Sequence, residues 1–407
     1  MTVPTPTAST PTGPSFPPRL EDRWTIDTWR EPPLNRRSYQ HMREIVPTAR
    51  VAAGPASALP EGSAVALDRV DVAHPDGREE TAAAVLARTF TDGFLVLSGG
   101  EVVVETYPGG MPADRPHMLL SLSKSITGCV VAALAEAGLV DVDGLLTAHL
   151  PELATSGYAG ATVRHLLDMR SGIAYSEDYL DPLAGIRVFA QVVGWASTAR
   201  TDLPLSMYEW LATLTAAGPH GGAFHYRSCE TDVLGWLCER AAGRPMQQLI
   251  SELIWTPIGA EVDMDAGVDR VGSVIHDGGL AATLRDLGRF GSMLLHRGRV
   301  GDTAVLPEWW MDDTAAAGQD SRTAFAQSEM YVWMPGGRYR NQFWLPYMDR
   351  NVLMGMGING QLLVVDLDRG TVAVKLSSWP LPQDPAMLFD TLRMVDAVTA
   401  EGRRGTG

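Results

Sequence analysis

The chain has 407 residues, of which 45% are hydrophobic and 20% are charged, an ordinary composition for a globular protein with a large core. Its formal net charge of −15 argues against binding to nucleic acid or to an anionic membrane, because both repel an acidic surface. No apolar run reaches the roughly 18 residues that a membrane span needs, and the N-terminus lacks a secretory pattern. We therefore expect a cytoplasmic protein.

The three cysteines, Cys129, Cys229 and Cys238, have no metal-ligand or C-x-x-C spacing. We predict that each is a small buried hydrophobic residue rather than a ligand or a disulfide partner. No metal and no organic cofactor is expected.

The predicted structure begins after a tail. Residues 1–19 consist mainly of Pro, Thr and Ser with few apolar residues, which predicts disorder. An arm follows over residues 24–50, and its aromatic residues Trp24, Trp29 and Tyr39 are predicted to pack on the main body.

The first strong strand signal is a β-hairpin at 94–105, where β-branched runs flank Gly99 and Gly100. An apolar stretch with helical period then runs from Ser121 to a capping Gly138. Further helices are predicted at 162–169, 231–242, 246–255 and 283–296. A second hairpin at 361–377 and a helix at 384–398 complete the chain.

Strands at both ends of the chain, with helices between them, predict an α+β fold. One antiparallel sheet would be built from both termini, because no βαβ alternation indicates a parallel sheet. We expect a single domain over residues 20–407, with a helical lobe inserted at roughly 140–290.

The chain contains only two lysines, Lys124 and Lys375, among its 33 Lys and Arg residues. Arginine effectively never loses its proton, whereas the pKa of lysine shifts readily. Lys124 stands three residues after Ser121 in an S-x-x-K motif and so predicts chemistry that needs a neutral amine. The alternative explanation is that codon bias toward arginine left two lysines in the chain by chance. The role of Lys375 stays open between catalysis and pairing with a carboxylate.

If Ser121 begins a helix, Lys124 lies one turn further on the same face, within reach of the hydroxyl. The helix N-terminus favours developing negative charge, and the backbone N–H of Ser121 is free to donate to a substrate oxygen. A serine hydroxyl is a weak nucleophile until a base takes its proton. Tyr226 is a second base candidate, and its phenolate would need a neighbouring cation. Lys124 is then either the base or the group that lowers the pKa of one.

These residues resemble the serine hydrolases of the β-lactamase fold, particularly the class C and penicillin-recognising group, whose signatures include S-x-x-K and Y-x-N or Y-x-S. Within that family the chain is similar to the 6-aminohexanoate-dimer (nylon-oligomer) hydrolases and related carboxylesterases. The likeness runs from about Trp29 to the end of the chain. The segments that carry it are 29–33, 120–125, 177–182, 231–234, 278–279 and 375–380.

The resemblance implies a role for each residue of the motif. Ser121 would be the acylated nucleophile, Lys124 its activating amine, and Tyr226 the proton relay toward the leaving group. The backbone N–H groups of Ser121 and Ile358 would form the oxyanion hole.

Four further positions bear on the substrate. The resemblance implies that Tyr179, on a mobile loop, closes over the ligand and that Asp277 contacts it, although a loop-capping role for Asp277 is equally open. The aspartate that steadies the free amine of a nylon dimer matches Ala190, so efficient dimer cleavage is in doubt while esterase activity is not. Gly355 replaces the lysine of the K-T-G signature, which argues against β-lactams.

Two other readings compete with this site. His225 next to Tyr226 would fit a Ser-His-Asp triad, but the chain has no G-x-S-x-G elbow. The acidic residues Glu177, Asp178 and Asp181 either attract a cationic amine or form a solvated loop.

The sequence therefore predicts a serine hydrolase that cleaves small carboxylic esters, and linear amides such as 6-aminohexanoate oligomers, through an acyl-enzyme. A β-lactam-binding protein, or a β-lactamase or DD-peptidase, is the alternative, and a non-catalytic scaffold is the last one. The expected partner is a small-molecule ester or amide. The oligomeric state stays open, with a homodimer as one option.

Overall fold

Both ends of the chain contribute strands to one sheet in the computed structural model, which describes residues 23–405. The tail predicted at 1–19 lies outside the described residues. The strands, in chain order, are β1 (Thr48–Val51), β2 (Asp71–Ala73), β3 (Glu79–Thr81), β4 (Thr91–Ser98), β5 (Glu101–Thr106), β6 (His117–Met118), β7 (Met264–Gly267), β8 (Leu280–Ala282), β9 (Arg299–Val300), β10 (Thr303–Ala304), β11 (Arg338–Arg340), β12 (Phe343–Leu345), β13 (Val352–Gly357), β14 (Gln361–Asp366) and β15 (Thr371–Ser377).

Helices occupy the middle of the chain and its C-terminal end. In chain order they are α1 (Asn35–Ser38), α2 (Ala82–Arg88), α3 (Ser123–Glu136), α4 (Val163–Leu167), α5 (Gly185–Val192), α6 (Met207–Leu211), α7 (Ser228–Ala242), α8 (Met246–Ile250), α9 (Leu284–Leu295), α10 (Glu308–Ala316), α11 (Gln319–Ala326) and α12 (Pro385–Gly405). The helix predicted at 246–255 is α-helical only to Ile250 and continues as a π-helical turn, Ser251–Trp255. The closing helix extends beyond its predicted end.

The main sheet has seven strands in the order β11-β12-β13-β14-β15-β4-β5, and all pairs are antiparallel. Strands β4 and β5 come from the first quarter of the chain, whereas β11 to β15 come from the last. The predicted α+β fold, with one antiparallel sheet assembled from the two ends, is confirmed. The predicted hairpin is also present, and Gly99 and Gly100 make its tight turn with φ of 59° and 87°.

Strand β4 shows why this sheet is buried on both faces. Phe94 and Val96 pack in one apolar cluster with α2 and α12, whereas Leu95 and Leu97 point to the other face and pack with α9. Successive side chains of a strand point to opposite faces, so an unbroken apolar run fits a sheet covered on both sides.

Helix α9 approaches the sheet closely because two of its residues are glycines. A Cβ atom at Gly288 would lie 2.4 Å from Leu95 Cδ2, and one at Gly291 would lie 2.4 Å from Val372 Cγ1. This helix falls at the end of the range predicted for the inserted lobe, but it packs on the sheet. Of the helices that precede it, α4, α6 and α8 pack against α7, and α7 and α8 pack against α3.

The N-terminal arm packs on the body of the protein, as predicted. Trp29 and Tyr39 are buried. The Trp29 indole N–H donates to the Trp195 carbonyl at 3.4 Å, and the Tyr39 hydroxyl donates to Asn359 Oδ1 at 2.9 Å. The arm therefore connects the helical lobe to the end of β13.

Two sequence-based expectations concern the chain as a whole. Cys129, Cys229 and Cys238 are free and buried, which confirms their predicted role as small core residues. Among residues 23–405, no helix is both long enough and apolar enough to cross a membrane.

Candidate active site

Ser121 lies in a short 3₁₀ turn, Leu120–Leu122, that leads directly into α3. Leu120, the preceding residue, has a φ of 47°, a left-handed conformation that is strained for a branched side chain. The chain therefore turns sharply before Ser121 and presents it at the N-terminal end of the helix. Helix α3 ends near Gly138, whose φ of 71° fits the predicted cap.

Lys124 lies one turn after Ser121 and is almost fully buried. Its Nζ donates to Ser121 Oγ at 3.0 Å and to the backbone carbonyl of Asp277 at 2.8 Å. The Asp277 carboxylate lies 3.6 Å from the same Nζ. The amine is thus fixed beside the serine hydroxyl, as the spacing of the motif predicts.

Tyr226 reaches this pair from the loop that precedes α7. Lys124 Nζ lies 5.2 Å from the centroid of its ring. The ring stacks on Trp344, with centroids 5.4 Å apart, and meets Tyr339 edge-on. The structure therefore brings together the three side chains that the sequence analysis selected, although Tyr226 stands about 100 residues from the other two.

The charge state of Lys124 differs from the prediction. Burial is the largest single influence and lowers the pKa of the amine, but the combined attraction of Tyr226, Asp277, Glu177 and Asp232 outweighs it and raises the pKa. The direction of this shift favours the ammonium form of Lys124. It gives no support to the expected neutral amine, because acidic side chains from distant segments surround it.

Tyr226 is a neutral phenol at neutral pH. Burial raises its pKa, and the positive charge of Lys124 and the nearby Ser121 hydroxyl lower it only in part. Lys124 is therefore the cation that favours the Tyr226 phenolate. Of the two roles left open by the sequence, the structure favours this second one.

Ser121 and Ile358 line the same cleft. Ile358 follows directly after β13, which ends at Gly357. A Cβ atom at Gly357 would lie 2.4 Å from the Leu119 carbonyl oxygen, so glycine lets the strand pass close to the segment that carries Ser121. This proximity is what a pair of backbone donors around one substrate oxygen requires.

The residue after Ile358 is fixed by contacts from both ends of the chain. Asn359 has a φ of 58°, which asparagine tolerates better than most residues. Its side chain accepts the hydrogen bond from Tyr39 and donates to the Trp379 carbonyl at 2.8 Å. The arm thus helps to hold the turn that carries Ile358.

A cleft lies in front of Ser121. Its walls are mostly apolar, and the three positions that the sequence analysis linked to the substrate, Tyr179, Asp277 and Ala190, all line it. The complete lining consists of Arg30, Leu120, Ser121, Tyr179, Ile186, Phe189, Ala190, Val193, Trp195, Ile275, Asp277, Gly278 and Ile358. Apolar walls with a few polar groups are typical of a small-molecule site.

The acidic residues near Tyr179 have separate roles. The Tyr179 hydroxyl donates to Glu177 at 3.0 Å, and Glu177 also accepts the backbone N–H of Ser228 at the start of α7. Burial raises the Glu177 pKa. Asp178 and Asp181 are exposed and accept backbone N–H groups of their own loop. Only these last two match the solvated-loop alternative.

Asp232 is a structural residue of the site that the sequence analysis did not select. It is buried in α7, and its Oδ1 accepts the backbone N–H groups of His276 at 2.9 Å and Asp277 at 3.1 Å. Burial raises its pKa well above the ordinary value. The signal was available in principle, since a charged residue inside a predicted helix with many apolar residues, 231–242, needs a buried partner.

The two histidines near the sequence motifs, His225 and His276, do not serve as a base for Ser121. Among the described residues, the hydrogen bond to Ser121 Oγ comes from Lys124, which gives no support to a triad with His225. His276 is buried, with its Nε2 3.0 Å from the Tyr208 hydroxyl, and burial lowers its pKa to about 3. Of the His276-Asp277 pair, only Asp277 lines the cleft.

Pairing with a carboxylate was one of the two roles that the sequence left open for Lys375, and no described residue provides such a partner. Its Nζ donates to the Thr89 carbonyl at 3.0 Å and to the Ser377 hydroxyl, and no carboxylate of residues 23–405 lies within ion-pair distance. Burial lowers its pKa to about 7. It lies on β15 and is not part of the cleft lining, so it ties the strand to a neighbouring loop.

Comparison with known proteins gives the same family. The β-lactamase family profile matches residues 78–395. A 6-aminohexanoate-dimer hydrolase from Paenarthrobacter ureafaciens is 37% identical over 381 residues, covering 92% of this chain and 95% of the relative. Esterase EstB from Burkholderia gladioli is 28% identical over 153 residues, covering 37% and 38% of the two chains.

A solved structure supports the match at the level of the whole fold. A Bacillus anthracis protein provisionally named 6-aminohexanoate-dimer hydrolase superimposes with a TM-score of 0.86 at 26% identity, covering 96% of this chain and 99% of that one. This chain therefore belongs to the β-lactamase family and is a serine hydrolase.

Proposed function

We propose that this protein is an esterase that cleaves small carboxylic esters through an acyl-enzyme on Ser121. The observation that carries the proposal is Lys124 Nζ at 3.0 Å from Ser121 Oγ, beside Tyr226, in a cleft with apolar walls. The relatives named as an esterase and as a dimer hydrolase support the same reaction class, acyl transfer to water.

In the first half of the proposed reaction, the Tyr226 phenolate takes the proton of Ser121, and Oγ forms a bond to the substrate's carbonyl carbon. The Lys124 ammonium remains charged and stabilises the phenolate. The carbonyl oxygen becomes an oxyanion, which the backbone N–H groups of Ser121 and Ile358 would hold. Such donors matter, because removing one typically costs about 100- to 1000-fold in rate.

The intermediate then collapses. The bond to the leaving oxygen breaks as Tyr226 returns its proton to that oxygen, and the acyl group remains on Ser121. A water molecule next gives a proton to Tyr226 and attacks the acyl carbon. The bond between that carbon and Ser121 Oγ then breaks as Tyr226 returns the proton to Oγ, which releases the acid and restores the serine hydroxyl. Tyr226 serves as base and acid in turn in each half.

Two residues of the cleft have supporting roles in this proposal. Asp277 fixes the Lys124 amine through its backbone carbonyl, and its carboxylate balances the charge. Tyr179 covers the acyl group from the loop that precedes α5. A cytoplasmic location and a homodimer stay predictions.

Linear amides such as 6-aminohexanoate oligomers are the second substrate class of the proposal. The name of the 37% identical relative supports them. Ala190 lines the cleft and offers no charge to a free amine. We therefore expect esters to be cleaved faster than the linear dimer, as measured by p-nitrophenol release from esters and ninhydrin detection of amine from the dimer.

The direct test measures p-nitrophenyl butyrate turnover and labelling by a fluorophosphonate probe. Ser121→Ala should lose the label and at least about 1000-fold in kcat. Tyr226→Phe should lose about 100- to 10,000-fold, the usual contribution of an acid–base group. Lys124→Met should lose more activity than Lys124→Arg, because arginine keeps the positive charge.

Lys375→Met is the matched control, since it removes the other lysine of the chain without touching the cleft, and kcat should stay near the wild-type value. Near-wild-type turnover by Tyr226→Phe, or probe labelling at another residue, would contradict the proposal.

A further inference from the structure

The cleft contains a cation, Arg30, that has no hydrogen-bond or ion-pair partner in the described part of the chain. Arg30, from the N-terminal arm, lines the cleft together with Ser121, and its guanidinium lies over the Trp29 ring at 4.4 Å from the centroid. Within residues 23–405 it makes no hydrogen bond and no ion pair, and its Nε is buried without a partner. Most described arginines, by contrast, pair with an aspartate or a glutamate.

The carboxylate of the cleft wall is already engaged. Asp277 lies 3.6 Å from Lys124 Nζ and accepts that lysine's hydrogen bond through its backbone. It favours the charged form of Arg30 only at longer range, and burial lowers the Arg30 pKa. A desolvated guanidinium without an acceptor is costly, so an anion that enters the cleft gains a strong partner.

Two more features favour an anion, one near the cleft and one in its lining. Arg187, exposed on α5 one turn before Ala190, also has no ion pair with a described carboxylate, and its positive charge acts on Arg30. The indole N–H of Trp195, which lines the cleft, is buried without an acceptor. The unpartnered buried polar atoms of the lining, within the described chain, are therefore donors.

The apolar residues of the cleft lining indicate the chemistry of the uncharged part of the ligand. Ile186, Phe189, Ala190 and Val193 line the cleft that Ser121 and Arg30 share. An aliphatic chain suits these walls, and a carboxylate suits the fork of a guanidinium, which binds it through two parallel hydrogen bonds.

We propose that the cleft selects esters whose acyl chain ends in a carboxylate, and that Arg30 is the residue that binds this carboxylate. The substrates are then monoesters of aliphatic dicarboxylic acids, and the product is the free diacid. The inference rests on the proposed esterase function and names its substrate class. The cleft that Ala190 lines would then favour a negatively charged substrate group, whereas a site for a free amine would favour a positively charged one.

The test compares three 4-nitrophenyl esters of equal chain length: the monoester of adipic acid, its neutral methyl-capped analogue, and a 6-(trimethylammonio)hexanoate. Wild-type kcat/KM should be at least about tenfold higher for the adipate than for the neutral ester, since charge-assisted hydrogen bonds are the strong ones. The cationic ester should be the poorest substrate. Equal kcat/KM values for the adipate and neutral esters would overturn the proposal.

Arg30→Gln should lower kcat/KM for the adipate about 10- to 100-fold and leave the neutral ester within about threefold. Arg30→Lys should recover part of the loss. Arg37→Gln is the matched control, because Arg37 belongs to the same arm and also lies near a tryptophan ring, that of Trp24, but is outside the cleft lining. An equal loss for all three esters in Arg30→Gln would mean that Arg30 only supports the fold.

A second variant changes another residue of the cleft lining. Ala190→Asp places a carboxylate in the cleft and should shift the preference from the adipate toward the cationic ester. An unchanged preference would contradict the inferred polarity of the cleft.

Binding separates this inference from the proposed function. Adipate and hexanoate are titrated calorimetrically into Ser121→Ala and into Ser121→Ala/Arg30→Gln. Adipate should bind more tightly than hexanoate only where Arg30 is present, whether or not the wild-type protein turns over esters. Turnover of neutral esters without a preference for adipate would refute the inference alone, whereas loss of ester turnover with intact adipate binding would refute the function alone.

Discussion

At the residue scale, the proposed chemistry depends on which protons Lys124 and Tyr226 hold. The pKa of each group is raised, that of Lys124 by surrounding acidic side chains and that of Tyr226 by burial. Both shifts favour an ammonium beside a phenol, and neither of these forms accepts a proton from Ser121. In the proposed reaction, the active form is the one in which Tyr226 has lost its proton.

This charge state predicts a pH profile. Because the base is the deprotonated phenol and its pKa lies above the ordinary value, kcat/KM should rise from pH 7 to beyond pH 9, by up to about tenfold per pH unit. The measurement is a pH-stat assay on ethyl butyrate, which resists spontaneous hydrolysis better than a p-nitrophenyl ester, with Ser121→Ala as the blank. A plateau that is reached below pH 8 would show that the pKa of the base is lowered instead.

The same residues show what local sequence supplies. The S-x-x-K spacing places Lys124 next to Ser121 because residues three apart share a helix face. It carries no information on Asp277, Glu177 and Asp232, which reach the amine from other segments and set its charge. The local spacing alone therefore could not show that the surroundings of the amine favour its charged form.

At the element scale, the contact between α9 and the sheet offers a stability test. Gly291→Ala would place a Cβ atom 2.4 Å from Val372 Cγ1 and 3.0 Å from Leu363 Cδ1. Alanine stabilises a helix by about 1 kcal/mol relative to glycine. Val372, however, is a stiff, buried residue on a strand that is paired on both sides. Overpacking against such a residue typically costs about 1–3 kcal/mol.

We therefore expect Gly291→Ala to lower the free energy of unfolding by about 1 kcal/mol or more, as measured by urea denaturation. Ser292→Ala, the next residue of α9, is the control and should change it by less than about 0.5 kcal/mol. An unchanged or higher midpoint for Gly291→Ala would mean that the helix moves away from the sheet at little cost.

The elements themselves were predictable where their pattern is local. Both hairpins and the helix after Ser121 follow from β-branched runs, from glycines in the turns, and from apolar period. The π-helical turn at 251–255 carries no such signal. Helix α9 looked like part of the inserted lobe, because chain order cannot show that Gly288 and Gly291 meet the sheet.

At the scale of the whole molecule, the fold is shared with β-lactamases, and the substrate distinguishes the members. Gly355 lies on β13, at the position where penicillin-recognising proteins carry a lysine. A Cβ atom at this position would lie 3.1 Å from Ser125 Oγ. Without that cation, we expect nitrocefin to be hydrolysed at least about 10- to 100-fold more slowly than p-nitrophenyl butyrate, the usual effect of losing one charge-assisted contact.

Fluorescent penicillin provides the complementary measurement. Neither stable labelling nor turnover is expected. Stable labelling of Ser121 without turnover would instead identify a β-lactam receptor, and rapid nitrocefin hydrolysis would identify a β-lactamase.

The sequence by itself predicted the α+β sheet built from both ends, because apolar period and turn residues are local properties of the chain. Its resemblance to a known family pointed to that family and to Ser121, Lys124 and Tyr226 as candidate site residues. Only the tertiary structure bears on the charge of Lys124 and on the proposed role of Arg30. Both depend on which ionisable groups share a desolvated space, and that is set by segments brought together from the arm, the lobe and the sheet.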